Sequence, residues 1–139
     1  MSITIKRIDD AFQMEAKGSG PHPVIIDAAE KVGGKNQGVR PMELMLMGIG
    51  GCSSIDVLSI LKKQRQEVKE YSVVVDGERE DVPKPPSVFK KIHIKFSFRG
   101  DLDESKVARA IELSMTKYCS VTRIMEKSAD ITYSYEINK

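Results

Sequence analysis

The chain has 139 residues, 30% of them charged, with a net charge of +2 and two cysteines. That length predicts a single domain, residues 1–139, whose core needs neither disulfides nor a structural metal. The small net charge argues neither for nor against an acidic partner, and because there is no basic tail we expect no nucleic-acid partner.

The N-terminal segment predicts short strands joined by turns. It begins Met-Ser-Ile-Thr-Ile-Lys-Arg, without the basic and apolar regions of a signal peptide, which predicts a cytoplasmic protein. Alternating apolar residues predict a hairpin over residues 2–16, and a third strand is predicted over residues 23–28. Glycines at positions 33, 34 and 38 indicate a loop before the first helix.

Residues 40–62 are the most apolar part of the chain, and we expect them to form a helix at the buried centre of the fold. Pro41 suits a first helical position, Glu43 lies in the first turn, and Lys62 lies where the helix dipole favours cations. Apolar residues occur on every side of the helical wheel, which predicts a helix enclosed by protein. A membrane span is the alternative, but the run is short and contains three glycines and an aspartate, so we expect no membrane span.

Three glycines of this helix, at positions 48, 50 and 51, directly precede Cys52. Each costs roughly 1 kcal/mol of helix stability relative to alanine, so a compensating contact is expected. Close approach of another backbone would place Cys52 where two elements cross tightly. A kink at Gly50 and Gly51 is equally compatible with the pattern.

The second half of the chain contains predicted strands and helices. Strands are predicted over residues 70–77, 88–99 and 131–137, a helix from an Asp-x-x-Glu capping box at Asp101 to Tyr118, and a short helix capped by Ser120. Residues 88–99 place apolar side chains on one face and polar ones on the other, which is typical of a half-solvated sheet; binding of an anionic partner is the alternative. Pairs of strands without helical crossovers between them predict an α+β fold with antiparallel sheets.

Cys52 and Cys119 lie 67 positions apart, so only the fold can bring them together. In a chain without an export signal, both are expected to be reduced thiols. Cys119 precedes the short helix, whose dipole would stabilise a thiolate, and Arg123 is either a surface cation or a further stabilising group. Two unrelated buried cysteines are the alternative. His22 and His93 are isolated and no ligand pair has the spacing of a zinc site, so neither a metal nor another cofactor is expected.

Two segments together resemble those of a known family. Residues 40–58 read Arg-Pro-Met-Glu-Leu-Met-Leu-Met-Gly-Ile-Gly-Gly-Cys-Ser-Ser-Ile-Asp-Val-Leu, and residues 117–125 read Lys-Tyr-Cys-Ser-Val-Thr-Arg-Ile-Met. Both are similar to the OsmC/Ohr family, the osmotically inducible and organic hydroperoxide resistance proteins. The resemblance implies an OsmC-like intertwined homodimer in which curved antiparallel sheets surround two cysteine-bearing helices.

The resemblance also implies a chemistry and a set of site residues. In the family's peroxidases the first cysteine attacks a hydroperoxide and the second resolves the sulfenic acid as a disulfide, which matches Cys52 and Cys119 here. An arginine and a glutamate orient the nucleophile. Arg40 is the nearest candidate for the arginine, with Arg7 as the alternative. The glutamate usually stands ten residues before the first cysteine, whereas Glu43 stands nine before it.

Helix geometry adds an inference about the oligomer. Nine helical residues span roughly 13 Å along the axis, so Glu43 cannot reach Cys52 of its own chain if the helix is straight. Any contribution of Arg40 or Glu43 must then come from a second copy of the chain or from a bend at the glycines. The site hypothesis therefore predicts a homodimer.

These observations predict thiol-dependent reduction of organic hydroperoxides, a form of oxidative-stress defence, by a cysteine-based peroxidase. Its partners would be a small hydroperoxide and a thiol reductant. One alternative is a non-catalytic dimer that binds a small apolar ligand near unreactive thiols, with Met42, Met45 and Met47 as an adaptable wall. Another is a dimeric scaffold with inert thiols. Core packing is the ordinary role for those methionines.

Overall fold

The first of two compact units, Met1–Met45, contains a small antiparallel sheet. The computed structural model describes all 139 residues of the chain. Strands β1 (Thr4–Arg7) and β2 (Met14–Lys17) form an antiparallel hairpin, and β3 (Val24–Ile26) pairs antiparallel with β2. These pairings confirm the hairpin and the third strand predicted from the alternation of apolar residues.

The loop after β3 is organised by a buried aspartate. The carboxylate of Asp27, which is 1% exposed, accepts hydrogen bonds from the backbone N–H groups of Ala28, Lys35 and Gln37. Donation from these groups, that of Gln37 foremost, lowers the pKa of Asp27, although burial opposes the shift. A Cβ atom at Gly34 would lie 2.1 Å from the carbonyl oxygen of Ala28, so only glycine fits there. The predicted loop is therefore held in one conformation by hydrogen bonds to the Asp27 carboxylate.

Helix α1 (Pro41–Lys63) confirms the predicted central helix and begins in the first unit. The backbone N–H of Arg40 donates to the carboxylate of Glu43 at 2.8 Å, which satisfies one of the free N–H groups at the helix start. By length and composition α1 could cross a membrane, with a mean hydropathy of 1.8 over its most apolar window. The central helix of a water-soluble domain has the same properties.

The part of α1 in the second unit, Leu46–Lys139, has two different faces. A buried stripe repeats every four residues and consists of Ile49, Ser53, Val57 and Leu61. A second stripe with the same spacing is exposed and consists of Met47, Gly51, Ile55 and Ser59. The expectation that protein encloses this helix on every side is therefore wrong for the single chain, because the second stripe remains exposed.

The second unit contains a three-stranded sheet in the order β4-β5-β6. Strands β4 (Glu70–Arg79) and β5 (Phe89–Arg99) are antiparallel, whereas β5 and β6 (Asp130–Asn138) are parallel. The expectation of antiparallel pairing throughout is wrong for β5 and β6. A parallel pair needs a long crossover, and the helical segment between these two strands supplies it.

Strand β5 provides most of the buried apolar side chains of this sheet. Its inner face carries Ile92, Ile94, Phe96 and Phe98, all essentially inaccessible to solvent. On the other face Lys95 and Arg99 form ion pairs with Glu136 and Glu70 on the neighbouring strands. This arrangement confirms the prediction of a half-solvated sheet.

The crossover consists of α2 (Glu104–Leu113), one π-helical turn over Ser114–Tyr118, and α3 (Ser120–Met125). Asp103, rather than Asp101, caps α2, since its carboxylate accepts the N–H of Ser105 at 2.9 Å. Cys119, rather than Ser120, caps α3. The two helices lie where they were predicted, each with its cap one or two residues from the expected position.

Candidate functional site

Cys52 lies on α1 where the helix meets strand β4. A Cβ atom at Gly50 would come within 2.9 Å of the Val75 side chain, so the glycine lets the strand approach closely. The predicted tight crossing is therefore formed, with a valine side chain as the contacting group rather than a backbone. One residue further along, Cys52 is half-buried and has a free thiol.

Cys119 is positioned by the π-helical turn that precedes it. Its backbone N–H donates to the carbonyl oxygen of Ser114 at 2.8 Å, which closes the widened turn. Its sulfur accepts the backbone N–H of Thr122 at 3.4 Å and so caps α3. Isolated π turns within helices are frequent at functional sites. The side chain of Cys119 is buried and only 4% exposed.

The fold brings the two sulfurs together. The Sγ atoms of Cys52 and Cys119 and a carboxylate oxygen of Asp56 all lie within 4.8 Å of one another. The 67 positions between the cysteines are thus spanned by the packing of α1 against the crossover. The fold therefore places the two thiols in one cluster, although their separation in the sequence did not require it.

Asp56 is a member of this cluster that the sequence analysis did not identify as a site residue. It lies four residues after Cys52, one helical turn along the same face, and its carboxylate accepts a hydrogen bond from the Ser114 hydroxyl at 3.0 Å. The spacing was visible in the sequence. Cys52 and Asp56 are the only ionisable side chains between Leu44 and Leu61.

The two thiols differ in their surroundings. Burial raises the pKa of Cys119 above the ordinary value of 9.0, and the neighbouring Cys52 raises it further. The hydrogen bond from the Thr122 backbone N–H to the sulfur opposes this shift but does not reverse it. The dipole of α3, which was expected to favour the thiolate, therefore acts on a sulfur whose burial favours the neutral thiol. Cys119 remains a thiol at neutral pH.

Arg40 and Glu43 lie in the first unit and contact each other there. The guanidinium of Arg40 donates to the carbonyl oxygen of Gly38 at 2.9 Å and to the side chain of Asn36. Glu43 is exposed apart from the hydrogen bond with the Arg40 backbone. Arg7, the alternative arginine, is exposed in the same unit.

Arg123 and the two histidines lie outside the thiol cluster. Arg123 is exposed and forms an ion pair with Glu126 at 3.1 Å, as expected for a surface cation. His93 hydrogen-bonds to Thr132 and Ser134 on the sheet, and His22 is exposed. The cluster therefore consists of two thiols, one carboxylate and their hydrogen-bond donors, a set that can form a disulfide or bind a soft cation.

Comparisons with known proteins agree with this architecture. A family model described as OsmC-like protein matches residues 34–134. Protein YhfA of Escherichia coli K12 is 38% identical over 138 residues, which cover 99% of this chain and 98% of YhfA. A hypothetical protein of Aquifex aeolicus VF5 has a solved structure with 31% identity and a TM-score of 0.80, covering 99% and 97% of the two chains.

One solved structure of lower sequence identity belongs to a protein whose name states its role. The organic hydroperoxide resistance protein OhrB of Bacillus subtilis is 16% identical with a TM-score of 0.69, covering 97% and 96% of the two chains. At that identity the likeness concerns the fold, which confirms the α+β OsmC-like class. The family match extends over most of the sequence, and YhfA matches over nearly all of it. The chain therefore belongs to the OsmC/Ohr family of OsmC-like proteins.

Proposed function

We propose that the chain reduces organic hydroperoxides through the Cys52–Cys119 pair, with electrons supplied by a thiol reductant. The observation that carries the proposal is the separation of the two sulfurs, which is no more than 4.8 Å. A disulfide needs a sulfur–sulfur bond of about 2.0 Å, so the two sulfurs must move closer together for the bond to form. We further propose that the whole chain acts as one OsmC-like domain in the cytoplasm.

The exposure of the two thiols supports different roles for them. Cys52 is half-buried and is the more accessible residue of the two, whereas Cys119 is buried and has a raised pKa. The thiolate is the nucleophile in this chemistry, so the accessible Cys52 is the better candidate for attack on the peroxide. Cys119 then acts as the resolving thiol.

The reaction consists of two balanced steps. The Cys52 thiolate attacks the terminal peroxide oxygen, the oxygen–oxygen bond breaks, and the alcohol leaves with one proton while Cys52 becomes a sulfenic acid. The Cys119 sulfur then attacks the Cys52 sulfur, which expels water and forms the disulfide. An external thiol reduces this disulfide by exchange and restores both cysteines.

Arg40 and Glu43 are proposed as orienting residues on the strength of the family resemblance. The hydrogen bonds of the Arg40 guanidinium go to two backbone oxygens and an amide side chain, and it forms no ion pair with a carboxylate. Because Glu43 lies nine residues before Cys52, it cannot reach the thiol of its own chain along a straight helix. This pair would then act at the thiols of a second copy of the chain. The hydroperoxide resistance protein of Bacillus subtilis supports the activity by its name only.

A homodimer is supported by the exposed stripe of α1. Met47 and Ile55 are apolar and solvent-exposed, and Gly51 has open space where a Cβ atom would stand. Small residues between apolar ones let a second helix approach closely, and an apolar patch of this kind marks an interaction surface. We therefore propose that two copies associate through this stripe.

Replacing Ile55 with glutamate is expected to dissociate the dimer. Ile55 is 71% exposed in the single chain, so the change should leave the folded monomer intact while placing a charge in the proposed interface. Sedimentation velocity should shift from the mass of a dimer to that of a monomer. Val74→Glu, at an exposed position on β4, is the matched control and should remain dimeric. A dimeric Ile55→Glu variant would contradict this interface.

Intact-mass analysis tests the proposed activity directly. The reduced chain, treated with one equivalent of cumene hydroperoxide, should rapidly lose two hydrogens. A Cys119→Ser variant should instead gain one oxygen, and a Cys52→Ser variant should remain unchanged over the same interval. Because Cys119 must lose its proton to attack, disulfide closure should accelerate as the pH rises from neutral towards 9. Slow oxidation at the same rate in the parent chain and in Cys52→Ser would refute the proposal.

Binding of an apolar ligand is the second candidate, and the exposure of Met47 on α1 favours it. A methionine of 53% exposure is available to an apolar partner, and its flexible thioether adapts to varied shapes. In the same experiment, unreactive thiols together with an apolar compound that co-purifies would favour this function over peroxide reduction.

A further inference from the structure

We propose that the reduced chain binds one thiophilic divalent cation, Zn²⁺, through Cys52, Cys119 and Asp56. The observation behind this site is that the donor atoms of all three side chains lie within 4.8 Å of one another. The inference does not depend on peroxide reduction, because it concerns the reduced protein in the absence of any oxidant.

The spacing of the donors suits a tetrahedral ion. Zinc binds sulfur at about 2.3 Å and carboxylate oxygen at about 2.0–2.2 Å, which places tetrahedral ligands roughly 3.5–3.8 Å apart. Donors that already lie within 4.8 Å reach this geometry by small side-chain rotations. Cys52 and Asp56 are separated by one turn of α1, so the helix itself holds two of the three ligands on one face.

Neighbouring groups orient these ligands. The Ser114 hydroxyl donates to one carboxylate oxygen of Asp56 at 3.0 Å, which leaves the other oxygen available to the ion. The Thr122 N–H donates to the sulfur of Cys119, and such a bond strengthens when the sulfur is a metal-bound thiolate. The Thr122 hydroxyl is buried and has no hydrogen-bond partner.

The set of ligands also determines which ions would bind. Two thiolates and one carboxylate favour zinc over magnesium or calcium, which prefer oxygen ligands alone. Binding requires that both thiols lose their protons, so each ion releases two protons to the solvent. Three protein ligands leave a fourth position for water. In the single chain Asp56 also lines an open groove of about 520 Å³ together with Leu113, Tyr118 and Ile55, the last of which belongs to the stripe proposed as the dimer interface.

Titration of the reduced full-length protein with Co²⁺ under argon tests the site. We expect a sulfur-to-cobalt charge-transfer band and the visible bands of tetrahedral cobalt, saturating at one ion per chain. Added Zn²⁺ should displace the cobalt at the same stoichiometry and remove both sets of bands, whereas Zn²⁺ added to the metal-free reduced protein should release thiol protons into unbuffered solution. Absence of the charge-transfer band would overturn the proposal.

Substitutions measure the contribution of each of the three ligands to metal binding. Cys52→Ser and Cys119→Ser should each abolish stoichiometric binding, and Asp56→Asn should lower the zinc affinity at least about tenfold. The control is Asp101→Asn, an exposed carboxylate outside the cluster, which should bind as the parent does. Circular dichroism of each variant verifies that it is folded. Unchanged affinity in a folded Asp56→Asn protein would overturn the three-ligand site.

The outcome of this titration is distinct from that of the peroxide experiment. A protein that binds Co²⁺ but leaves hydroperoxide intact would retain the metal site and lose the proposed activity. A protein that forms the disulfide without binding Co²⁺ would retain the activity and lose the metal site.

Discussion

Replacing Cys52 with serine is expected to lower the rate constant for hydroperoxide reduction by a factor of about 10³ or more, the scale seen when an enzyme loses its nucleophile. A serine hydroxyl is not deprotonated at neutral pH and cannot form a sulfenic acid. Cys119 cannot take over this role efficiently, because its buried sulfur is 4% exposed and its pKa is raised. Stopped-flow measurement of peroxide consumption, with a dithiol as reductant, provides the rate constant.

Cys119→Ser is the matched control for that measurement. It should react with the first equivalent of peroxide at nearly the parent rate, since the attacking sulfur is intact, and then stop at the sulfenic acid or proceed to the sulfinic acid. A monothiol probe for sulfenic acid should label this variant and not Cys52→Ser. If Cys119→Ser lost the first reaction while Cys52→Ser retained it, the two assigned roles would be reversed.

Replacing Phe96 with alanine should lower the free energy of unfolding by about 3–5 kcal/mol. Phe96 lies near the middle of β5, the central strand, and is 0% exposed. Truncation removes the apolar contacts of the ring and leaves a cavity that the paired strands on either side can fill only partly. Urea denaturation followed by circular dichroism, at one fixed protein concentration, measures the difference.

Val74→Ala is the control for this stability prediction. Val74 lies on β4 and is 54% exposed, so its truncation should change the free energy of unfolding by less than about 0.5 kcal/mol. A loss below about 1 kcal/mol in Phe96→Ala would mean that β5 is not the centre of the core, since buried phenylalanine truncations cost more.

The elements with strong periodic patterns were predictable because local sequence determines them. Alternation of apolar residues identified β5. The proline and glutamate at the start of α1 and the lysines at its end gave the bounds of that helix to within one residue. The parallel pairing of β5 and β6 was not predictable in this way. It depends on where the crossover folds back, which is decided by packing between distant segments rather than by either strand's own pattern.

The site was predictable in part for the same reason. The resemblance to the OsmC/Ohr family named both cysteines, and the structure brings their sulfurs together. Asp56 was not predicted as a site residue because a carboxylate one turn from a thiol is common on a helix, and only the fold brings it to both sulfurs. The raised pKa of Cys119 was missed because burial of a single sulfur follows from tertiary packing, which a helix-capping argument does not include.

The sulfur of Cys119 is also the cap of α3, because it accepts the backbone N–H of Thr122. Any chemical change at that sulfur must therefore alter the electron density around the amide proton of Thr122. Nuclear magnetic resonance would detect this at the Thr122 cross-peak, whose chemical shift would differ among the free thiol, the oxidised pair and the metal-loaded state. The polypeptide thus contains its own spectroscopic reporter of sulfur chemistry, with no dye or label attached.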